Sequence, residues 1–425
     1  MLKKIINSSF FLLMGTILSR ALMFLINLVA ARTLPVSSFG QYMFLRNTIS
    51  MLDGVLSASV GNNAIKDIGE RQGDIGRLKK YVGSLIVLNL AFISLFLAIF
   101  LITGDTISKY LFSNSNGQEI IFFLSMVVFS FTILSSLFQK IMIALSKYRE
   151  MAYISFICAV IILPLSYLMI SNYSLNGLFA SVAAYFFIDT ALRIYYVSRI
   201  LVVNSIKDYW VDLYITVISI LKKSSYLVTT AIVSSLSFWL YRVIILERSG
   251  EFSTLANFDV AYQLGVFSLM VTGVTTNVAL QMLSNKSAET RKVYRANMIV
   301  NLVIAIIFAL VITLFSSGLL SLFGESYMEQ GHLVFLVAVM TIFATVNSIN
   351  NKLLISKGLL TRIFTHTCIS CLVAILFCFF QNTADYSELI ALTFVIHYGM
   401  LFVFDSIYIV KNRLTILSDG VNNES

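Results

Sequence analysis

The chain has 425 residues, of which 58% are hydrophobic and 12% are charged, and its formal net charge is +9. Soluble proteins carry about 25% charged residues, so this composition excludes an ordinary soluble protein. The apolar runs are continuous over about twenty residues and do not alternate with period two, which excludes a β-barrel and predicts an all-α integral membrane protein.

The first apolar run follows Lys3 and Lys4 and covers residues 5–31. The apolar core of a cleaved signal peptide has only about 7–15 residues. The run therefore predicts a retained first membrane helix, with its amino terminus on the cytoplasmic side.

Further runs of about 18 apolar residues or more bring the predicted number of spans to twelve. The spans are 8–31, 41–63, 81–102, 120–144, 151–170, 178–198, 224–246, 260–283, 297–318, 332–355, 363–380 and 389–410. Between the sixth and seventh, apolar residues recur at helical spacing among Lys207, Asp208 and Asp212. We expect an amphipathic helix on the cytoplasmic surface there, with a thirteenth span as the alternative.

Basic residues alternate between the connecting segments as the positive-inside rule requires. Most of the 30 Lys and Arg residues fall on one side of the twelve spans, whereas Arg32, Lys109 and Arg248 fall on the other. Both termini are therefore predicted to be cytoplasmic. Orientation accounts for the positive charge, so nucleic-acid binding is not needed to explain it.

Six spans, a linker and six more spans suggest a duplication. We expect an N-terminal lobe over residues 1–199, a cytoplasmic amphipathic linker over 200–223, a C-terminal lobe over 224–410 and a cytoplasmic tail over 411–425. Each half begins inside and has an even number of spans, so the halves would be parallel repeats with a central cavity at their interface.

Lys140 and Lys352 lie near the cytoplasmic ends of their spans and count with the cytoplasmic residues. Seven further charged residues lie within the spans, where a charge at the bilayer centre costs about 2.5–3.5 kcal/mol and so usually faces a cavity or a partner. They are Arg20, Arg46, Asp53, Asp189, Arg193, Arg242 and Asp405. In span two, Arg46, Ser50 and Asp53 follow one another at helical spacing and share one face. This pattern predicts a polar stripe through the membrane.

Spans one, seven and eight add polar groups at equivalent places in the two halves, which favours a lined cavity. The predicted substrate-binding residues are Arg20, Arg46, Arg242, Asn27, Gln263 and Asn277. Arginine in a low-dielectric cavity favours phosphate or carboxylate, because its planar fork donates paired, charge-assisted hydrogen bonds. An anionic, partly lipidic substrate is the expectation.

Three carboxylates lie deep enough to couple transport to an ion, either H⁺ or Na⁺. They are Asp53, Asp189 and Asp405. Each has a structural alternative: Asp189 pairs with Arg193 one turn away, Asp53 pairs with Arg46 or Arg20, and Asp405 extends to the membrane surface.

Enzyme and metal chemistry lack a sequence basis. The chain contains no P-loop, GxSxG or HExxH motif, and its predicted outer loops have fewer than about twenty residues. Cys368 and Cys371 form a CxxC without the second ligand pair of a zinc site, and the three histidines lie on separate spans. We therefore expect no enzyme activity, no metal and no cofactor.

The first hairpin resembles that of the Wzx-type polysaccharide flippases. Ser19-Arg20 precedes Ala30-Ala31-Arg32-Thr33-Leu34 and then Phe39-Gly40-Gln41-Tyr42, and the family commonly has AR-x-L, a short turn and FG-x-Y. The family usually has LG in the turn, where this chain has Leu34-Pro35. The superfamily also contains the MATE drug exporters and the flippases of the peptidoglycan lipid precursor.

The resemblance implies two six-helix lobes around a V-shaped cavity, in a multi-pass protein of the bacterial inner membrane. The implied cargo is an undecaprenyl-diphosphate-linked oligosaccharide repeat unit of O-antigen or a similar polysaccharide, moved to the periplasmic leaflet. Implied partners are membrane lipids, a polysaccharide polymerase and a chain-length regulator. A MATE-like exporter of cationic drugs is the first alternative, and an integral-membrane polymerase or acyltransferase is the second.

Overall fold

The computed structural model describes residues 2–71, 75–112, 118–200, 210–283 and 290–416. Nearly all of these residues are helical, and no β-strand occurs among them. The α-helices are α1 (Leu2–Thr33), α2 (Val36–Arg71), α3 (Ile75–Phe112), α4 (Gln118–Ala144), α5 (Tyr148–Ile200), α6 (Trp210–Ser249), α7 (Phe252–Leu283), α8 (Thr290–Leu314), α9 (Ser316–Ser321), α10 (Gly331–Ser356), α11 (Leu360–Phe380), α12 (Tyr386–Lys411) and α13 (Arg413–Ile416).

Each predicted span overlaps one of the long helices, which confirms the all-helical membrane fold. Eight described helices are long and apolar enough to cross a membrane. One of them, α5, has an apolar stretch of 52 residues that holds both the fifth and the sixth predicted span. The exposed surface includes large apolar side chains such as Leu101, Ile102, Phe380 and Val410. A lipid environment satisfies such a surface, so the protein is a multi-pass membrane protein.

The two spans within α5 meet at a reversal of the chain. Ser174, with φ 50° and ψ −126°, leaves the helical conformation there. Just beyond it, Gly177 approaches the preceding segment so closely that a Cβ would lie 1.9 Å from the carbonyl oxygen of Met169. Only glycine fits this position without a shift of the backbone.

Gly177→Ala is expected to destabilise the protein by about 1–3 kcal/mol, the usual cost of overpacking. Gly83→Ala is the matched control, because a Cβ on Gly83 meets nothing within 4 Å and alanine favours a helix. The thermal midpoints of the two purified variants compare the effects. A Gly177→Ala midpoint equal to that of wild type would contradict the close approach.

The chain divides into two compact units, residues 1–231 and 232–425. In the first unit α5 packs against α1 and α4, and α2 packs against α4. In the second, α10 packs against α7, α8 and α12.

The division falls inside α6, which is continuous from Trp210 to Ser249 because this stretch contains no glycine or proline. The helix predicted for the linker is therefore continuous with span seven. Residues 201–209 and 417–425 lie outside the described part.

A basic side chain joins three helix ends in the second unit. Arg248, at the end of α6, donates from Nη1 to the carbonyls of Cys378 (2.8 Å) and Phe379 (3.3 Å) at the end of α11. Its Nη2 donates to Asn382 Oδ1 at 2.9 Å, and the guanidinium lies 5.4 Å from the ring centroid of Tyr386 on α12. The oxygens of the last carbonyls of a helix carry a partial negative charge and lack partners within the helix, so the arginine stabilises this end of α11.

Candidate functional site

A cavity of about 100 Å³ lies within the first unit, between α1, α2, α4 and α5. Its lining includes Met23, Arg46, Ser50, Thr132 and Phe186. Among the described lining residues Arg46 is the one that carries a charge. Pockets for drug-sized ligands have about 300–1,000 Å³, so this cavity is smaller than such a pocket and its size matches a small group such as a phosphate.

Helical spacing on α2 explains how the polar groups reach the cavity. Tyr42, Arg46 and Ser50 follow one another at intervals of four and so share one face. The Tyr42 hydroxyl donates to Asn27 Oδ1 of α1 at 3.3 Å, and its ring packs edge-on against Phe179 of α5, with 5.4 Å between centroids. These contacts hold Tyr42 beside Arg46, which is partly exposed.

The residues predicted on α1 separate into two environments. Asn27 is 1% exposed and supports Tyr42 from behind rather than facing the cavity. Arg20 is exposed on α1 and is not among the residues that line the cavity. The structure therefore places Arg46 in the cavity without Arg20.

Asp53, one of the predicted ion-coupling residues, faces α4. Its carboxylate interacts electrostatically with Lys140 and accepts a hydrogen bond from Ser136. Sequence reasoning named Arg46 and Arg20 as the alternative partners and placed Lys140 among the cytoplasmic residues. The only available signal was the position of Lys140 inside the apolar run 120–144.

Asp189 is held in an ion pair that the sequence predicts. Arg193 donates from Nε to Asp189 Oδ2 at 2.6 Å and from Nη2 to Oδ1 at 2.8 Å, and Ser135 also donates to Oδ2. The side chains of Asp189 and Arg193 are 1% and 2% exposed. Such a bidentate, buried pair is a structural element of the first unit.

Arg242 is also neutralised, by a residue that sequence reasoning missed. Its Nη2 donates to Asp259 Oδ1 at 3.0 Å, and its guanidinium lies over the rings of Phe258 and Phe394. The prediction put Asp259 in an outer loop, because span eight was begun at residue 260. Helix α7 begins at Phe252 instead, and Asp259 is fully buried in it.

The remaining predicted residues lie in the second unit. Gln263 is partly buried on α7, and the side chain of Asn277 lies outside the described part of the structure. Asp405 does not extend to the surface: it is 1% exposed, and its Oδ1 lies 2.6 Å from Nδ1 of His366 on α11. Surface extension was the wrong alternative for Asp405.

Another histidine contacts carboxylates at the surface. His332 Nε2 lies 3.3 Å from Oδ2 of Asp385, and the ligand atoms of His332, Asp385 and Glu388 lie within 4.8 Å of one another, as a metal site would require. Asp385 also caps α12, accepting from the amides of Ser387 and Glu388. This cap explains the position of the carboxylate without a metal.

Known proteins resemble this chain in structure. No family model and no curated protein matches it. An inward-facing multidrug resistance MATE family transporter of the MOP superfamily has a TM-score of 0.69 at 14% identity, over 93% of this chain and 96% of that chain. The outward-facing conformation of a multidrug resistance MATE family transporter has a TM-score of 0.71 at 13% identity, over 96% of both chains.

The chain has the fold of the MATE transporters. A MOP superfamily transporter from Pyrococcus furiosus is equally similar, with a TM-score of 0.71 at 13% identity over 98% of this chain and 96% of that chain. That transporter is described as having a binding pocket of reverse polarity, which suggests a different function. A MATE fold therefore does not by itself determine the charge of the substrate.

Proposed function

We propose that the protein is a membrane transporter that moves an amphipathic anionic substrate by alternating access, and that it is not an enzyme. The observation that carries the proposal is the placement of Arg46 in a cavity of the first unit whose described lining contains no carboxylate. Two solved structures of this fold, one inward-facing and one outward-facing, support the alternating-access part.

The distribution of ion pairs sharpens the charge argument. Arg193 and Arg242 are both matched by buried aspartates, so they add no net charge to a binding surface. Neither lines the cavity, where Arg46 is the basic side chain among the described lining residues. Phe179 and Phe186 of α5 line the same cavity, and a guanidinium beside apolar walls interacts more strongly with phosphate oxygens than one in bulk water.

The specific cargo that we propose is an undecaprenyl-diphosphate-linked oligosaccharide, carried to the periplasmic leaflet of a bacterial inner membrane. The first-hairpin motif supports this choice, and the diphosphate matches Arg46. The cavity, at about 100 Å³, fits the phosphate groups and not the sugars. A cytoplasmic location of both termini, and a polymerase and a chain-length regulator as partners, belong to the same proposal.

Export of cationic drugs is the second candidate function. The fold comparison favours it, because the inward-facing and outward-facing structures belong to transporters described as multidrug resistance proteins. The candidate requires an acidic side chain at the binding surface. On α2, Asp53 follows the cavity-lining Ser50 by three residues, and Lys140 already interacts with its carboxyl group.

The test is to delete the gene in its own host and to extract lipid-linked oligosaccharide alongside a gel of surface polysaccharide and a drug-susceptibility panel. We expect surface polysaccharide to disappear while complete repeat units stay on their lipid carrier at the cytoplasmic face. Unchanged polysaccharide with increased drug sensitivity would replace the first candidate by the second. Repeat units that reach the periplasm and remain unpolymerised would point to an enzyme.

A further inference from the structure

Asp405 forms the centre of a buried polar cluster in the second unit. Its Oδ1 lies 2.6 Å from His366 Nδ1, and the exposures of the two side chains are 1% and 14%. Its Oδ2 is buried and has no hydrogen-bond partner among the described residues. An unmatched carboxylate oxygen away from water is costly, which calls for an explanation.

Polar side chains of α8 and α10 extend the cluster. Tyr294 of α8 is in electrostatic contact with Asp405, and its hydroxyl donates to Asn350 Oδ1 of α10 at 2.8 Å. Asn350 Nδ2 in turn donates to Ser406 Oγ at 3.3 Å. The described groups that contact Asp405 are thus a phenol and an imidazole.

The imidazole has its own neighbours. The ring of His366 lies 5.9 Å from that of Tyr408, and the guanidinium of Arg362 lies 5.3 Å from the Tyr408 ring on α12. The ring of Phe404 lies 5.8 Å from the imidazole. The Tyr408 ring thus lies next to both the imidazole and a guanidinium.

The pair formed by His366 and Asp405, here called the dyad, has two protonation states. With one proton between Nδ1 and Oδ1 the pair carries a charge of −1, and a second proton, taken from water, makes the pair neutral. A low-dielectric interior favours the neutral state, whereas access of water favours release of the proton. Imidazole nitrogen is a poor ligand for sodium-like hard cations, which prefer oxygen. These arguments favour H⁺ over Na⁺.

An apolar cluster lies about one helical turn beyond the dyad and Asn350 along three helices. Its buried members are Leu283, Leu353, Leu354, Ile363, Ile409 and Ile416. Ile363 precedes His366 by three residues, Ile409 follows Asp405 by four, and Leu354 follows Asn350 by four. The apolar cluster therefore covers the end of the polar cluster that lies toward Lys411, the last residue of α12.

We propose that His366 and Asp405 bind one coupling proton, and that separation of the apolar cluster admits the water that releases it. The coupling role rests on the proposed transport function, whereas the proton binding does not. Every transport cycle would then move one proton through this dyad.

The experiment is histidine titration by NMR on the full-length protein, labelled with ¹⁵N-histidine and held in detergent. His366→Gln identifies the signal of His366. In Asp405→Asn we expect the His366 midpoint to shift by more than one pH unit to lower pH, because the anion that stabilises the imidazolium is gone. Asp385→Asn is the matched control, because Asp385 contacts a different histidine, His332. Asparagine also caps helices, so this variant should keep the start of α12 and leave the His366 signal unchanged.

A His366 midpoint that is the same in wild type and Asp405→Asn would overturn the proposal. If Asp405→Asn does not fold, the wild-type and His366→Gln proteins are compared by potentiometric titration, and His366→Gln should bind at least half a proton fewer per chain over the pH range in which both proteins stay folded. Equal counts would overturn the proposal as well. Loss of polysaccharide in the deletion strain tests transport separately, so the two failures are distinguishable.

Discussion

In cells whose gene carries Arg46→Met, surface polysaccharide is expected to fall roughly ten- to a hundredfold. Methionine preserves much of the volume of the side chain and removes its charge. Hydrogen bonds to charged groups contribute about 1.5–3 kcal/mol, and about 1.4 kcal/mol corresponds to a tenfold change. The measurement is a polysaccharide gel, normalised to the amount of the protein in the membrane.

Two variants accompany this measurement. Arg46→Lys keeps the charge but not the planar fork, so we expect a partial loss. Arg149→Met is the matched control, because Arg149 is exposed at the start of α5 and contacts Tyr153 of the same helix. Normal polysaccharide in Arg46→Met would refute the anionic-substrate proposal, and increased resistance to cationic drugs in the same variant would favour the second candidate.

Arg193→Met is expected to lower the free energy of unfolding by about 3–5 kcal/mol, because the substitution leaves a buried carboxylate without its cation. Asp189 is 1% exposed. Of the hydrogen-bond donors described above, the substitution leaves it only the Ser135 hydroxyl. The measurement is the fraction of purified protein that stays monodisperse after heating. We expect a loss of most of the folded protein at temperatures that wild type withstands.

The double variant Asp189→Leu/Arg193→Met separates the pair from its parts. Replacing a buried ion pair by apolar residues is often neutral, so the double variant should be more stable than Arg193→Met alone. Arg199→Met is the single-site control, since Arg199 is exposed near the end of the same helix and stacks on Tyr195. A double variant as unstable as Arg193→Met would show that the pair is not the cause.

Local sequence patterns predicted the fold well. Membrane spans are contiguous apolar runs, so the positions of the long helices follow closely from the chain itself. The pairing of Asp189 with Arg193 is equally local, because residues four apart face each other on a helix. The shared face of Arg46 and Ser50 was predictable for the same reason.

Contacts between helices were not predictable in this way. Asp53 meets Lys140, and Asp405 meets His366, across helix pairs whose relative rotation no single segment encodes. Asp259 was missed for a simpler reason. The predicted span begins eight residues after the start of α7, so the prediction placed a buried acid in a loop. The cavity itself depends on four packed helices, so sequence patterns identified Arg46 but not its surroundings.

The Arg248 contacts restrict how the second unit deforms. One guanidinium binds two carbonyls and an amide oxygen at the end of α11 and stacks on the first residue of α12. A sliding of these helix ends by one residue, about 1.5 Å, would stretch all of these contacts together. The Arg248 contacts therefore disfavour relative movement of the ends of α6, α11 and α12, and we expect bending within this unit to occur elsewhere.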